Sequence, residues 1–203
     1  MPSQKPLSRV GRPYHHGDLR AALIHAAFRE VERLGPEGVS LKALAHTLGV
    51  SQPAPFRHFI DREALLSAVA VEGFHAFSKA LEAAAAAEGS TALASMASAY
   101  VRFGREHIGL YRLMFGSRLL ACAVPNSDLS QAALASFALL EAKVTSALTP
   151  SSARKKALGV WAALHGLVML DHEQLLSGDL AKGIEIESLI DDVVTAAEEP
   201  AKD

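Results

Sequence analysis

The chain has 203 residues, half of them hydrophobic and 6% aromatic, with a formal net charge of −2. That is enough apolar material for one or two domains with cores, and Ala and Leu so outweigh β-branched runs that an all-α fold is expected and a sheet-based one excluded. A single cysteine, Cys122, excludes an internal disulfide framework or cysteine zinc site, and with no apolar run of the roughly 18–20 residues that span a bilayer, a cytoplasmic protein with no membrane partner is expected.

Residues 1–17 read as a polar, basic arm without the apolar segment of a secretory signal. A helix is predicted over 18–34, where Leu19, Leu23, Ala26, Ala27, Val31 and Leu34 recur at helical spacing. Asp18 is placed to cap it, and Gly35 followed by Pro36 ends it. Ser40 is placed to cap a short helix over 41–48, and Gly49 falls where a left-handed backbone is cheapest. Ser51 is placed to cap a third helix over 52–59, and Asp61 opens a long fourth one to about residue 88. Further helices are predicted over 91–106, 108–119, 129–148, 153–176 and 184–197. The expected organisation is a three-helix head over 1–60 and a helical body over 61–203.

Charge divides along the same boundary. Residues 1–62 hold nine Lys/Arg against five Asp/Glu, and residues 63–203 hold eleven against seventeen. A basic head on an acidic body fits a head that meets a polyanion. Within the head, residues 40–59 read SLKALAHTLGVSQPAPFRHF. Leu41, Leu44, Ala45 and Leu48 face inward, Ala45 is small where two helices would cross, and Val50 plugs the turn after Gly49. This is a helix-turn-helix pattern, whose second helix enters the major groove with its N-terminal residues at the base edges. Gln52 can pair bidentately with adenine. Arg57, His58 and Arg62 are placed to reach phosphates, as is Lys42 from the preceding helix, with Arg9 and Arg12 of the arm adding to them. Pro53 fits a first helical turn, whereas Pro55 should forfeit one helical bond. Both offer apolar surface to a thymine methyl.

The stretches YHHGDLRAALIHAAF and GPEGVSLKALAHTLGVSQPAPFRHFIDREALLSAVA resemble the DNA-binding domain of the tetracycline-repressor (TetR) family. The resemblance implies a three-helix head, a two-fold dimer and repression of double-stranded operator DNA relieved by a small molecule. Phe56 stands where the family usually has a tyrosine that contacts a phosphate, and Phe56 lacks that hydroxyl. Arg62 stands where lysine is commonest. Residues 111–116, YRLMFG, and 161–168, WAALHGLV, more faintly resemble the Trp-His-Gly type of ligand domain in the same family.

In the body, Phe103, Tyr111, Met114, Phe115, Trp161 and His165 form a cluster that is either ordinary core or the wall of a pocket for a small hydrophobic effector. His165 would supply its one titratable group. The helices over 129–148 and 153–176 carry Leu134, Phe137, Leu140, Leu158, Leu164 and Val168 and are expected to build a homodimer interface. Glu72 and His75 have a di-iron spacing but no second copy, so no metal or cofactor is expected. No nucleophile elbow, P-loop or dinucleotide turn occurs. The rival reading is a helical enzyme or small-molecule carrier whose N-terminal hairpin is only structural.

Overall fold

A computed structural model describes residues 18–86, 92–144 and 150–199. The arm residues Arg9 and Arg12, and the predicted helix ends beyond 86 and 144, lie outside the described residues. The described residues form helices and turns with no strand.

Helix α1, Leu19–Leu34, opens where the Asp18 carboxylate accepts the Ala21 amide at 2.9 Å. It buries Leu23, Ile24, Ala26, Ala27 and Val31. Gly35 ends it at φ +76°, a backbone region glycine enters without penalty, and Pro36 starts a short 3-10 turn. Helix α2, Leu41–Thr47, buries Leu41, Leu44 and Ala45. Ser40 starts it through its main-chain carbonyl, which accepts the Leu44 amide at 2.9 Å, and not through its side chain. Gly49 takes φ +68° in the turn.

The third element departs from the predicted regular helix over 52–59. Residues 51–59 form a tight coil with one 3-10 turn, Pro55–Arg57, held by Ala54 N to Ser51 O, Arg57 N to Ala54 O and His58 N to Pro55 O. The cause lies in the sequence. Pro55 has no N–H to give the Ser51 carbonyl, so the first bond of an α-helical ladder over 52–59 cannot form, and the Ala54 amide takes that carbonyl at 2.9 Å instead. Pro55 is also buried against the head, so it is unavailable to a thymine methyl.

Helix α3, Arg62–Ala85, starts where the Asp61 carboxylate accepts the Ala64 amide at 2.8 Å. It is the spine of the molecule, packing against α1 of the head, α4 (Ala92–Glu106) and α7 (Asp128–Val144). It is the one helix among the described residues long and apolar enough to cross a membrane, at a mean hydropathy of 1.2. Leu65, Leu66, Val69, Phe74, Phe77 and Leu81 are instead buried in the protein's own core.

The predicted helix over 108–119 is broken into three pieces: α5 (Ile108–Tyr111), a wide π turn at Arg112–Gly116, and α6 (Arg118–Ala121). The Ser117 hydroxyl donates to the Leu113 carbonyl at 2.6 Å. That carbonyl is the acceptor the Ser117 amide would need to continue an α-helix, so the side chain competes with the backbone and the chain restarts.

Helix α8, Pro150–His172, lies between α4, α7 and α9 (Ile186–Glu198). Gly104 of α4 permits the close approach, because a Cβ there would fall 2.5 Å from a Val168 methyl. Lys156 closes the C-terminal end of α9 by donating to the Ala197 carbonyl at 2.7 Å and to that of Glu199. The expected dimer face is therefore divided. Leu140, Leu164 and Val168 are buried inside one protomer, whereas Leu134 and Leu158 remain exposed.

Candidate nucleic-acid interface and effector cavity

The head presents one continuous polar and basic face. Lys42, His46 and Thr47 of α2 are exposed, as are Ser51, Gln52, Pro53, Phe56, Arg57 and His58 of the following coil. Residues 38–60 contain no Asp or Glu, so none of these exposed side chains opposes a phosphate. The coil is anchored from below by Pro55 and by Phe59, which is 4% exposed and lies under the Arg20 guanidinium at 5.4 Å from the ring centre. Phe56 is 47% exposed and places a bare ring at the surface.

Arg62 is corrected. Its Nε donates to the Val39 carbonyl at 2.9 Å, and a terminal nitrogen donates to the Pro36 carbonyl. These bonds tie the start of α3 to the loop between α1 and α2. The charge expected at a phosphate acts inside the head, where it gives the Val39 carbonyl its donor and adds a second to the Pro36 carbonyl, which also accepts the Val39 amide at 3.3 Å.

In the body, a cavity of about 380 Å³ opens between α3, α4, α7 and α8. Of the six residues expected to bound a pocket, Phe115 and Trp161 line it. Phe103, Tyr111 and Met114 do not, being buried in the packed wall behind it. His165 also lies behind the wall, its Nδ1 2.7 Å from the Tyr111 hydroxyl. The other linings include Tyr100 of α4, which the sequence places in one aromatic and methionine group with Phe103, Tyr111, Met114 and Phe115, and residues the sequence reading assigned elsewhere or passed over: Phe74 and Phe77 of α3, Leu134 and Phe137 of α7, and Arg154 of α8. The apolar stripe of α7 was visible as a pattern, but periodicity names a buried face without naming what covers it.

A buried polar chain runs out of this wall. The Tyr100 and Tyr111 hydroxyls lie 2.9 Å apart, and the Tyr111 hydroxyl meets His165 Nδ1 at 2.7 Å. Burial raises both phenols well above the ordinary tyrosine range, so both stay protonated. Desolvation lowers the His165 pKa and favours the neutral ring. With its proton on Nε2, that ring accepts from Tyr111, which can accept from Tyr100.

Tyr111 belongs to α5, and α5 touches the head. The His107 ring meets the Glu32 carboxylate of α1 at 3.1 Å, and Gly109 lies against the main chain at Val31. A second, wider groove of about 1000 Å³ runs along α3 between head and α6. It is lined by charges of both signs, among them Arg20, Glu63, Glu72 and Arg118, and is the poorer match to an apolar ligand.

A two-element turn whose residues 38–60 carry no acid, on a helical body with a cavity, is the architecture of a helix-turn-helix transcriptional regulator. Residues 23–69 match the family model described as bacterial regulatory proteins, tetR family, and residues 93–196 match the one described as tetracyclin repressor-like, C-terminal domain. The chain belongs to the TetR family. Among solved structures it is similar to a protein of unknown function from Rhodococcus sp. RHA1, 33% identical, with a TM-score of 0.72 over 91% of this chain and 95% of that one. Among curated proteins it is 31% identical over 90 residues to the HTH-type transcriptional regulator YobS of Bacillus subtilis (strain 168), covering 44% of this chain and 47% of that protein. It is 43% identical over 51 residues to the tetracycline repressor protein class C of Escherichia coli, covering 25% of this chain and 23% of that protein. The chain thus spans less than half the length of either curated relative.

Proposed function

We propose that this protein is a cytoplasmic, dimeric, non-enzymatic repressor that leaves its operator when a small hydrophobic effector occupies the body cavity. The observation that carries the reading is one of continuity. The aromatic wall of the cavity leads through Tyr100 and Tyr111 to α5, and α5 abuts α1 of the head at Gly109 and Val31. An effector that prefers one packing of α5 then changes the head's position by its differential affinity for the two states. The α1–α5 contact joins head and body alongside α3, which also packs on α1.

Residues 18–60 act as the reading head, with Gln52 at a base edge and Lys42, Arg57 and His58 at phosphates. Ser51, Pro53 and Phe56 supply close surface contact. Dimerisation is assigned to α8, which keeps Leu158 and Leu170 exposed with Gly159 and Ala162 between them. Two heads related by a two-fold axis read half-sites about 34–36 Å apart, or a multiple of it. The enzyme or carrier reading loses its motive once the head is a DNA-binding domain of the family.

The test is fluorescence anisotropy with labelled DNA from upstream of the protein's own gene, against unrelated DNA, at physiological salt. Specific binding should be roughly a thousandfold or more tighter than non-specific binding. Equal affinity for both DNAs would remove the repressor reading.

A further inference from the structure

We propose that the body cavity selects a hydrophobic monoanion, an apolar chain or ring system ending in one carboxylate, and that Arg154 is the residue that chooses the sign of charge. This rests on the reading of the cavity as the effector site and adds the chemical class of the effector.

Three observations lead to it. The cavity is almost wholly apolar, and none of its lining residues is Asp or Glu. Its hydroxyl linings are already engaged: Ser136 donates to the Ala133 carbonyl at 2.7 Å, and Ser130 to the Ser127 carbonyl at 2.9 Å. Arg154 is the single charged side chain among the linings, its guanidinium 5.9 Å from the centre of the Phe137 ring, itself a lining residue. The ring holds the guanidinium at the cavity and leaves its N–H fork open to an acceptor. No ion pair to Arg154 occurs among the described residues. Arg154 also lies near the start of α8, where the helix dipole adds positive potential.

Aromatic faces alone would also suit an organic cation. Arg154 opposes that occupant, because a cation drawn to those rings would face an uncompensated positive charge. A neutral hydrophobe would fill the space and leave the exposed guanidinium to solvent, gaining nothing from its charge. A carboxylate meets it with charge-assisted, bidentate hydrogen bonds while its chain covers Phe74, Phe77 and Trp161. The volume of about 380 Å³ lies within the range of small-ligand pockets, roughly 300–1,000 Å³.

The chain has one tryptophan, Trp161, and it lines the cavity, so its fluorescence reports occupancy directly. Sodium decanoate, decanol and decyltrimethylammonium are titrated into the full-length protein at pH 7.5, into Arg154→Gln, and into Arg154→Lys. Decanoate should bind wild type more tightly than the ammonium, and raising the salt should weaken decanoate alone. Arg154→Gln should weaken decanoate about tenfold and leave decanol within about twofold, the decanol result proving the variant's cavity intact. Arg154→Lys should lie between, keeping the charge and losing the fork. If decanol binds but Arg154→Gln leaves decanoate unchanged, or weakens both ligands alike, the charge selection is wrong and the cavity reading stands. Tightest binding of the ammonium overturns the selection in the same way. If none of the three ligands perturbs Trp161, the effector-cavity reading itself fails and the selection falls with it.

Discussion

A Cβ at position 109 would fall 2.2 Å from the carbonyl oxygen of Val31. Gly109 is in the body and Val31 in α1 of the head, so the two parts of the molecule meet backbone to backbone at this point. Main chain cannot swing aside as a side chain can. Gly109→Ala must therefore push α5 away from α1, with an expected loss of about 1–3 kcal/mol in urea unfolding and a changed response of DNA binding to effector. Unchanged stability would mean that head and body are more loosely docked than this contact requires.

Arg57 and Arg62 are five residues apart and should behave differently. Arg57 is exposed on the reading face, whereas Arg62 is bonded to the Val39 and Pro36 carbonyls. Arg57→Ala should lower the log–log salt slope of operator binding by about 0.9 for the lost phosphate contact. Arg62→Ala should leave that slope alone and lower stability by about 1–3 kcal/mol, since two main-chain acceptors lose a charged donor. Salt titrations of both variants separate the roles, and a reduced slope in Arg62→Ala would restore it to the DNA.

His165 gives the body a pH dependence of known sign. Its pKa in the fold lies below the ordinary 6.5 because burial disfavours the charged ring. As pH falls below about 6.5 the unfolded chain takes up this proton before the folded one does, so stability declines, and the decline stops once pH passes below the folded value. Unfolding midpoints at pH 7.5 and 5.5 should differ more in wild type than in His165→Gln. Equal differences would show that this ring does not titrate in the transition.

Ala162 is exposed on α8, so an arginine there disturbs nothing within one protomer. Ala162→Arg should convert a dimer to a monomer in sedimentation equilibrium and weaken operator binding, because the two half-sites are no longer linked. A variant that remains dimeric would move the interface away from this face of α8.

Much of the fold was legible because its signals are local. Asp18 and Asp61 cap the helices they precede, and Gly35 and Gly49 take the left-handed turns that end the two helices before them. The all-helical class and the helix-turn-helix followed from the same kind of evidence. Pro53 and Pro55 were visible too, but the one bond that Pro55 forfeits was read as a local loss, whereas residues 51–59 form a coil with a single 3-10 turn. What the sequence does not carry is direction. Arg62 has a DNA-facing side chain in a linear reading and an inward one in the fold, because Val39 and Pro36 come within reach only after α1 turns at Gly35. Leu140 and Leu164 form apolar faces that a partner subunit or the protein's own interior would cover equally well. Only the placement of α3 and α4 shows that the interior does so. Phe103 and Met114 were grouped with the cavity for their size, and size alone does not distinguish a wall from the packing behind it.

The central claim is that residues 51–58 read base sequence, and Gln52 tests it most directly. The measurement is the ratio of operator to random-DNA affinity for wild type and Gln52→Ala at fixed physiological salt. The variant should lose about 1–3 kcal/mol on the operator, keep its affinity for random DNA, and relax base preference at one position of each half-site. An equal loss on both DNAs would contradict the account and leave Gln52 as part of a surface that holds DNA without reading it.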